Sequence, residues 1–273
     1  MLNLNNKMFF VKSIILVFSI YIVLLIFLYF YQRKLLYHPT VNNYIEANNL
    51  VPKIEKITIL TSDNHYLLGW FHKKDISKKT ILFFHGNAGS LENRIYKLNY
   101  FENLDLNFLI VAWRGFNGNS GKPSEKGLYD DARSAVRWLK SIGIKEENII
   151  LYGESLGAAV AVEISQNKNF AGIILESAFT SMVEMGKKYY PFFPVSFLLK
   201  DKYKSINKIK NIHFPVLVMH GKRDKVVPFE MGKKIFYSAN LPKFSYFSDY
   251  DDHMMEYNEL LIKKLELFIG SLN

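Results

Sequence analysis

A serine at the centre of a glycine motif is the first candidate for chemistry, and the motif reads Gly153-Glu154-Ser155-Leu156-Gly157. A short apolar run precedes the motif and a small-residue helical pattern follows it, which predicts strand, sharp turn and helix. Such a turn lifts a serine hydroxyl clear of the sheet, while flanking glycines let neighbouring backbone approach closely. We therefore expect Ser155 to be a nucleophile, with Gly153, Glu154 and Gly157 supporting the turn.

A serine hydroxyl attacks poorly until a base removes its proton, so Ser155 requires an imidazole and an acid that orients the imidazole. Among seven histidines, His253 follows the last predicted strand, and Asp224 follows the strand before it. The chain order serine, acid, histidine is the order that the turn architecture predicts. Glu176 is the alternative acid, and His220, which ends a strand, is expected to be a hydrogen-bonded support rather than the base.

Acyl transfer by a serine creates an oxyanion, which preorganised N–H groups stabilise. The N–H of Leu156, at the helix start after the serine, is one candidate donor. The second is the N–H of Asn87, in the glycine-rich loop 85–89 at the end of another predicted strand. His85 and Gly86 are expected to support this loop.

The composition argues against several other kinds of site. The chain has no cysteine, and therefore no disulfide framework, thiolate metal site or cysteine nucleophile. Its sequence carries no paired metal-ligand spacing, phosphate loop or dinucleotide fingerprint, so neither a metal nor a cofactor is expected. The net charge is +10, but no long basic run is interleaved with aromatics. Nucleic acid is therefore not an expected partner, and anionic lipid headgroups are the expected counterpart of the charge.

The elements that must position these residues alternate along most of the chain. Extended patterns at 53–61 and 65–72 predict an antiparallel hairpin. Apolar strands alternating with helical patterns follow, at 80–84, 107–113, 149–152, 171–175, 214–220 and 243–247. This alternation predicts an α/β fold whose eight-stranded, mostly parallel sheet has helices on both faces. The candidate residues follow strand ends, and that edge is where open α/β sheets bind ligands.

The amino-terminal region predicts a membrane anchor. Residues 13–31 carry no charge and would form roughly 29 Å of helix, close to the thickness of a bilayer core. The run lacks a small-residue cleavage site, so we predict an uncleaved, single-pass anchor in residues 1–34 with the lipid bilayer as partner. Basic residues flank the run at both ends, so its orientation stays open.

The rest of the chain divides into a connector and one domain. An asparagine-rich stretch predicts a connector at 35–52, followed by the α/β domain at 53–273. Within it, residues 179–203 form an aromatic, proline-containing segment. As an insertion over the site edge this segment would be a lid or the wall of an acyl pocket. The alternative is that its aromatics pack one helix against the sheet.

Motifs along nearly the whole chain carry a family resemblance, and they lie at 32–39, 85–89, 114–116, 127–132, 153–157 and 220–224. The chain resembles the α/β-hydrolase superfamily and, more narrowly, its membrane-anchored Bem46-like serine hydrolases. The resemblance implies an α/β-hydrolase fold with Ser155 as nucleophile, Asp224 as acid and His253 as base. It also implies an oxyanion hole formed by Asn87 and Leu156.

The resemblance further implies hydrolysis of a lipophilic acyl ester or thioester, without a cofactor, through an acyl-enzyme. Two stretches depart from the usual family pattern: Arg114-Gly115-Phe116-Asn117-Gly118, and Asp251-Asp252 before His253. Two alternative functions stay open, which are a catalytically idle adaptor at the membrane and a serine peptidase of the same fold.

Overall fold

The computed structural model describes residues 4–40 and 53–272. The strands are β1 (His38–Pro39), β2 (Ile54–Leu60), β3 (Tyr66–His72), β4 (Thr80–Phe84), β5 (Ala88–Gly89), β6 (Asn107–Val111), β7 (Ile149–Glu154), β8 (Gly172–Glu176), β9 (Val216–Gly221) and β10 (Lys243–Ser248). Eight of them form the main sheet, in the order β10-β9-β8-β7-β4-β6-β3-β2. The pairs β2–β3 and β3–β6 are antiparallel and all other pairs are parallel. The predicted eight-stranded, mostly parallel sheet is confirmed.

The helices are α1 (Leu4–Leu36), α2 (Ile95–Asn103), α3 (Glu125–Ser141), α4 (Leu156–Ser165), α5 (Met182–Tyr189), α6 (Val195–Leu198), α7 (Ser205–Lys208), α8 (Phe229–Ser238) and α9 (Glu259–Gly270). One face of the sheet packs against apolar residues of α3, α4 and α8, and the other packs against α2 and α9. Because both faces are covered, β4, β6, β7 and β8 are buried at every residue.

Helix α1 is longer than the predicted apolar run at 13–31. It has 33 residues, or about 50 Å, and is apolar and long enough to cross a membrane. The basic residues that bound the apolar run lie within the helix rather than at its ends. The first two residues of the predicted connector continue α1, and β1 follows. The rest of that connector, 41–52, lies outside the described residues.

The predicted lid-like segment contains α5 and α6 and lies along the carboxyl-terminal part of α1. The hydroxyl of Tyr21 donates to the carbonyl of Phe192 at 2.8 Å. The amide of Gln32 donates to the carbonyl of Leu198 at 3.0 Å and accepts from the N–H of Lys200 at 2.8 Å. This part of the segment therefore packs along α1.

Candidate active site

Ser155 lies between β7 and α4 with φ 53° and ψ −109°, in a left-handed region that side chains rarely adopt. Its N–H donates to the carbonyl of Glu176 at 2.8 Å, which ties the turn to the end of β8. The glycines around it permit the turn. A Cβ on Gly157 would come within 1.9 Å of the Phe84 carbonyl oxygen, and one on Gly153 within 2.5 Å of the Gly157 carbonyl oxygen. No larger residue fits at either position.

Asp224 holds His253 by a hydrogen bond, with 2.8 Å between His253 Nδ1 and Asp224 Oδ2. His220 Nε2 lies 3.1 Å from the same oxygen, and Oδ1 accepts from the N–H groups of Val226 and Val227 at 2.8 Å each. Burial by itself would raise the pKa of Asp224, but the bonds from both histidines, the His253 charge and the Val227 N–H outweigh it and lower the pKa. The carboxylate therefore stays ionised and orients the imidazole of His253.

The backbones of Ser155 and His253 are each hydrogen-bonded to a residue at the end of β8. The backbone of Ser155 binds Glu176, and the hydroxyl of Ser177 donates to the carbonyl of His253 at 2.9 Å. Because Glu176 and Ser177 are consecutive, these two bonds bring the predicted nucleophile and the predicted base to one point of the sheet edge. The side chain of His253 is 17% exposed, which leaves it accessible to a substrate.

Asn87 lies beside Ser155 and Leu156, and all three line one cavity. The carbonyl of Asn87 accepts from the N–H of His38 at 2.8 Å, and its side-chain amide donates to the carbonyl of Leu36 at 2.7 Å. Strand β1 also pairs with β5 immediately after Asn87. The predicted oxyanion loop is thus held by the residues that follow the anchor helix.

His85 and Gly86 support this loop from beneath. The ring of His85 is buried, with Nδ1 2.8 Å from the Gly86 carbonyl and Nε2 3.4 Å from the backbone N of Trp113. Burial and the nearby Arg94 lower the pKa of His85 to about 3, so the ring is neutral at physiological pH. A neutral ring with a backbone partner at both nitrogens is suited to supporting the loop rather than to acting as a free base.

Glu154 belongs to a buried charge cluster under the turn. Its Oε1 accepts from Arg94 Nη2 at 2.6 Å and from the Gly86 N–H at 3.2 Å, and its Oε2 accepts from Lys97 Nζ at 2.6 Å. Lys97 also donates to both carboxylate oxygens of Glu176 at 2.8 Å. Burial alone would raise the pKa of Glu154, but Lys97 and Arg94 lower it, so the carboxylate is charged.

Glu176, the alternative acid, is fully buried and is committed to this cluster. In addition to Lys97, the hydroxyls of Tyr152 and Tyr257 bind its carboxylate. The imidazole Nδ1 of His253 is occupied by Asp224 instead. The geometry favours Asp224 over Glu176 as the partner of the histidine.

The cavity above Ser155 has a volume of about 510 Å³. One wall comes from α5, α6 and the loop between them, including Met182, Met185 and Phe193. The other wall comes from the last turns of α1, including Leu28 and Leu36. The pattern of the sequence gave no sign that the anchor contributes to the site, because its apolar residues are equally suited to lipid contact.

The structure resembles solved hydrolases with low sequence identity. An esterase of Pyrococcus furiosus superposes with a TM-score of 0.71 at 20% identity, covering 87% of this chain and 97% of the esterase. The Prolyl oligopeptidase family profile matches residues 114–243. The sheet order, the strained serine turn and these matches define an α/β-hydrolase.

Two relatives identify the family more narrowly. Protein bem46 of Schizosaccharomyces pombe is 31% identical over 218 residues, covering 74% of this chain and 73% of bem46. An uncharacterised protein of Mycobacterium tuberculosis is 36% identical over 222 residues, covering 80% of this chain and 79% of that protein. The chain belongs to the Bem46-like family of α/β-hydrolases.

Proposed function

We propose that the protein is a membrane-anchored serine hydrolase that cleaves acyl esters or thioesters. The observation that carries the proposal is the 2.8 Å bond between His253 and Asp224, with the imidazole fixed at the strand end that also binds Ser155. A histidine oriented by a buried, ionised carboxylate beside a serine on a strained turn is the arrangement that activates a hydroxyl.

The reaction follows from these positions. Ser155 Oγ attacks the acyl carbonyl carbon while His253 Nε2 takes the hydroxyl proton, and the N–H groups of Leu156 and Asn87 stabilise the oxyanion. Collapse of the intermediate breaks the bond to the leaving oxygen or sulfur, which receives the proton from His253. Water, deprotonated by the same imidazole, then attacks the acyl-enzyme and releases the carboxylic acid and free Ser155.

The cavity favours an acyl chain as the substrate group. Its walls are largely apolar, so a hydrocarbon chain can be buried there without leaving polar groups unpaired. A peptide backbone would lose hydrogen bonds to water in the same space. For this reason an acyl ester or thioester fits the site better than the peptide substrate that the Prolyl oligopeptidase profile suggests.

Anchoring by α1 is the second part of the proposal. Within the candidate span at Asn6–Leu36, an 18-residue window has a mean hydropathy of 2.8, and the apolar side chains of the helix are exposed rather than packed in the protein core. Exposed apolar surface of this extent is stable in lipid and unfavourable in water. The position of the cavity beside this helix would bring the reacting serine close to the membrane surface.

The test is labelling of the purified full chain with a fluorophosphonate probe, which reacts with activated serines. We expect labelling of the wild type and of Ser141→Ala, an exposed serine at the end of α3, and none of Ser155→Ala. Labelling that persists in Ser155→Ala would contradict the assignment. A wild type that reacts with no such probe would favour the idle adaptor, and a series of esters, thioesters and peptides would then be compared for turnover.

A further inference from the structure

Residues 189–199 form an uncharged aromatic stretch between Lys188 and Lys200. Among the described residues, Phe197 and Phe192 are the most exposed large apolar side chains, at 89% and 86%. Neither lines the cavity. Two phenylalanines so close together that are almost fully exposed form an apolar surface that water solvates poorly and that marks an interaction site.

The stretch lies alongside the part of α1 that is expected to be in lipid. Tyr21 binds the carbonyl of Phe192 and stacks on Phe193 with 6.1 Å between ring centroids, and Gln32 binds the carbonyl of Leu198. Tyr21 and Gln32 are separated by roughly 16 Å along the helix axis. Residues 192–198 therefore span about half of the thickness of a bilayer core next to α1.

Two lysines lie at the level where this surface would pass from the acyl layer of the membrane to the headgroups. Lys200 Nζ lies 4.0 Å from the ring centroid of Tyr29, and Lys34 Nζ lies 4.9 Å from that of Tyr31. Lysines over tyrosines are typical of the membrane interface, where the stem lies in the apolar region and the ammonium reaches the headgroups. Toward the middle of α1 from this level, the exposed surface of both segments is apolar.

We propose that residues 190–199 insert into the same leaflet as the carboxyl-terminal half of α1, with Phe192 and Phe197 in the acyl layer. The partner is the lipid bilayer itself. Leu28 of α1 and Phe193 and Leu198 of the stretch line the cavity between the two segments, and we place its opening toward the leaflet. The insertion rests on the proposed anchoring by α1 but not on hydrolysis, whereas lateral entry of an acyl chain from the bilayer also rests on the proposed hydrolase function.

The natural absence of cysteine allows a direct test of insertion. Full-length Phe192→Cys and Phe197→Cys variants would carry a nitroxide in vesicles of phosphatidylcholine with phosphatidylglycerol. Collisions of the label with oxygen, which concentrates in lipid, and with a water-soluble nickel chelate would be measured separately and compared. Val23→Cys, 66% exposed near the middle of α1, is the lipid reference, and Leu267→Cys, 63% exposed on the far side of the sheet from the serine turn, is the water reference.

We expect the labels at 192 and 197 to match position 23, with high oxygen access and several-fold lower nickel access than position 267. Nickel access equal to that at 267 for both labels would overturn the insertion. All four positions are exposed, so the labels replace no core contact, and circular dichroism of each variant checks the fold. This result is independent of whether the protein hydrolyses any ester.

Lateral entry has its own test, in which Phe192→Ser/Phe197→Ser is compared with the wild type and with Tyr237→Ser. We expect the double variant to hydrolyse a short water-soluble ester normally and to lose several-fold turnover of a long-chain ester dissolved in vesicles. Equal turnover of the vesicle-bound ester would overturn lateral entry. A wild type that cleaves neither ester would contradict the proposed function and the entry route with it, but would not change the spin-label result.

Discussion

At the scale of single residues, the sharp turn at Ser155 requires that the flanking glycines have no side chain. Its φ of 53° turns the chain sharply between β7 and α4, and α4 must then pass directly under the end of β4. Gly157 makes the closest approach of the turn, facing the carbonyl of Phe84. The absence of a side chain at this one position therefore fixes both the direction of the hydroxyl and the packing of the helix.

Gly157→Ala is expected to destabilise the protein by about 3 kcal/mol or more, because the new Cβ would lie 1.9 Å from the Phe84 carbonyl oxygen. Gly270→Ala is the matched control, since nothing lies within 4 Å of the Cβ it would add near the end of α9. That change should stabilise the chain by up to about 1 kcal/mol. Thermal unfolding of the detergent-solubilised full chain measures both, and equal melting temperatures would contradict the role given to Gly157.

At the scale of elements, a buried lysine joins β7, the strand that leads into the serine turn, to its neighbour β8. Lys97 on α2 is fully buried and binds Glu154 at the end of β7 and Glu176 at the end of β8. Burial alone would lower the pKa of Lys97, but the two carboxylates outweigh that effect and raise it. One ammonium thus holds two strand ends, one of which precedes Ser155 directly.

Lys97→Met is expected to cost about 3–5 kcal/mol of unfolding free energy, because it leaves the buried carboxylate of Glu176 without its cation and Glu154 with Arg94 alone. Lys145→Met, which removes a lysine 3.7 Å from Glu147 in an exposed pair, should change stability by no more than about 0.5 kcal/mol. Urea unfolding at neutral pH measures the difference. Adding Glu176→Gln to Lys97→Met should recover part of the loss, and a Lys97 variant as stable as the Lys145 control would refute the linkage.

At the scale of the whole molecule, the end of α1 is bonded both to Asp201 and to the loop that carries Asn87. Arg33, at the end of α1, binds the buried carboxylate of Asp201 through two nitrogens at 2.8 and 2.9 Å. Tyr37 donates to the same carboxylate at 3.1 Å, and the chain between these residues supplies the Leu36 carbonyl that binds Asn87. The end of α1 therefore positions a candidate oxyanion donor.

Arg33→Gln is expected to lower kcat for a short soluble ester by up to roughly 10²-fold with a small change in KM, since a misplaced oxyanion donor weakens the transition state more than substrate binding. Lys34→Gln removes the same charge one residue later and should leave both constants unchanged. Steady-state kinetics of the purified full chain compares them. Equal kinetics of the two variants would show that anchor docking does not reach the loop.

The sequence alone determined the sheet, the serine turn and the long apolar helix. These features depend on short-range rules: apolar runs bounded by glycine, serine after a strand, and a charge-free stretch long enough for a membrane. The order of Ser155, Asp224 and His253 also follows from the chain, because each comes after a strand that runs in the same direction. Their assignment as a catalytic set stays a prediction, for which the bond between Asp224 and His253 is the structural support.

Only the tertiary structure decided which polar groups meet. Arg33 and Asp201 are 168 positions apart, and Lys97 and Glu176 are 79 apart. No periodicity links such residues, since the choice of partner depends on which side chains the packed helices bring within 3 Å of each other. Residues 35–36 were predicted as connector and lie in α1, where the Leu36 carbonyl accepts from the Asn87 side chain of a distant loop. The patterns of the sequence are local, whereas burial and pairing are properties of the folded chain.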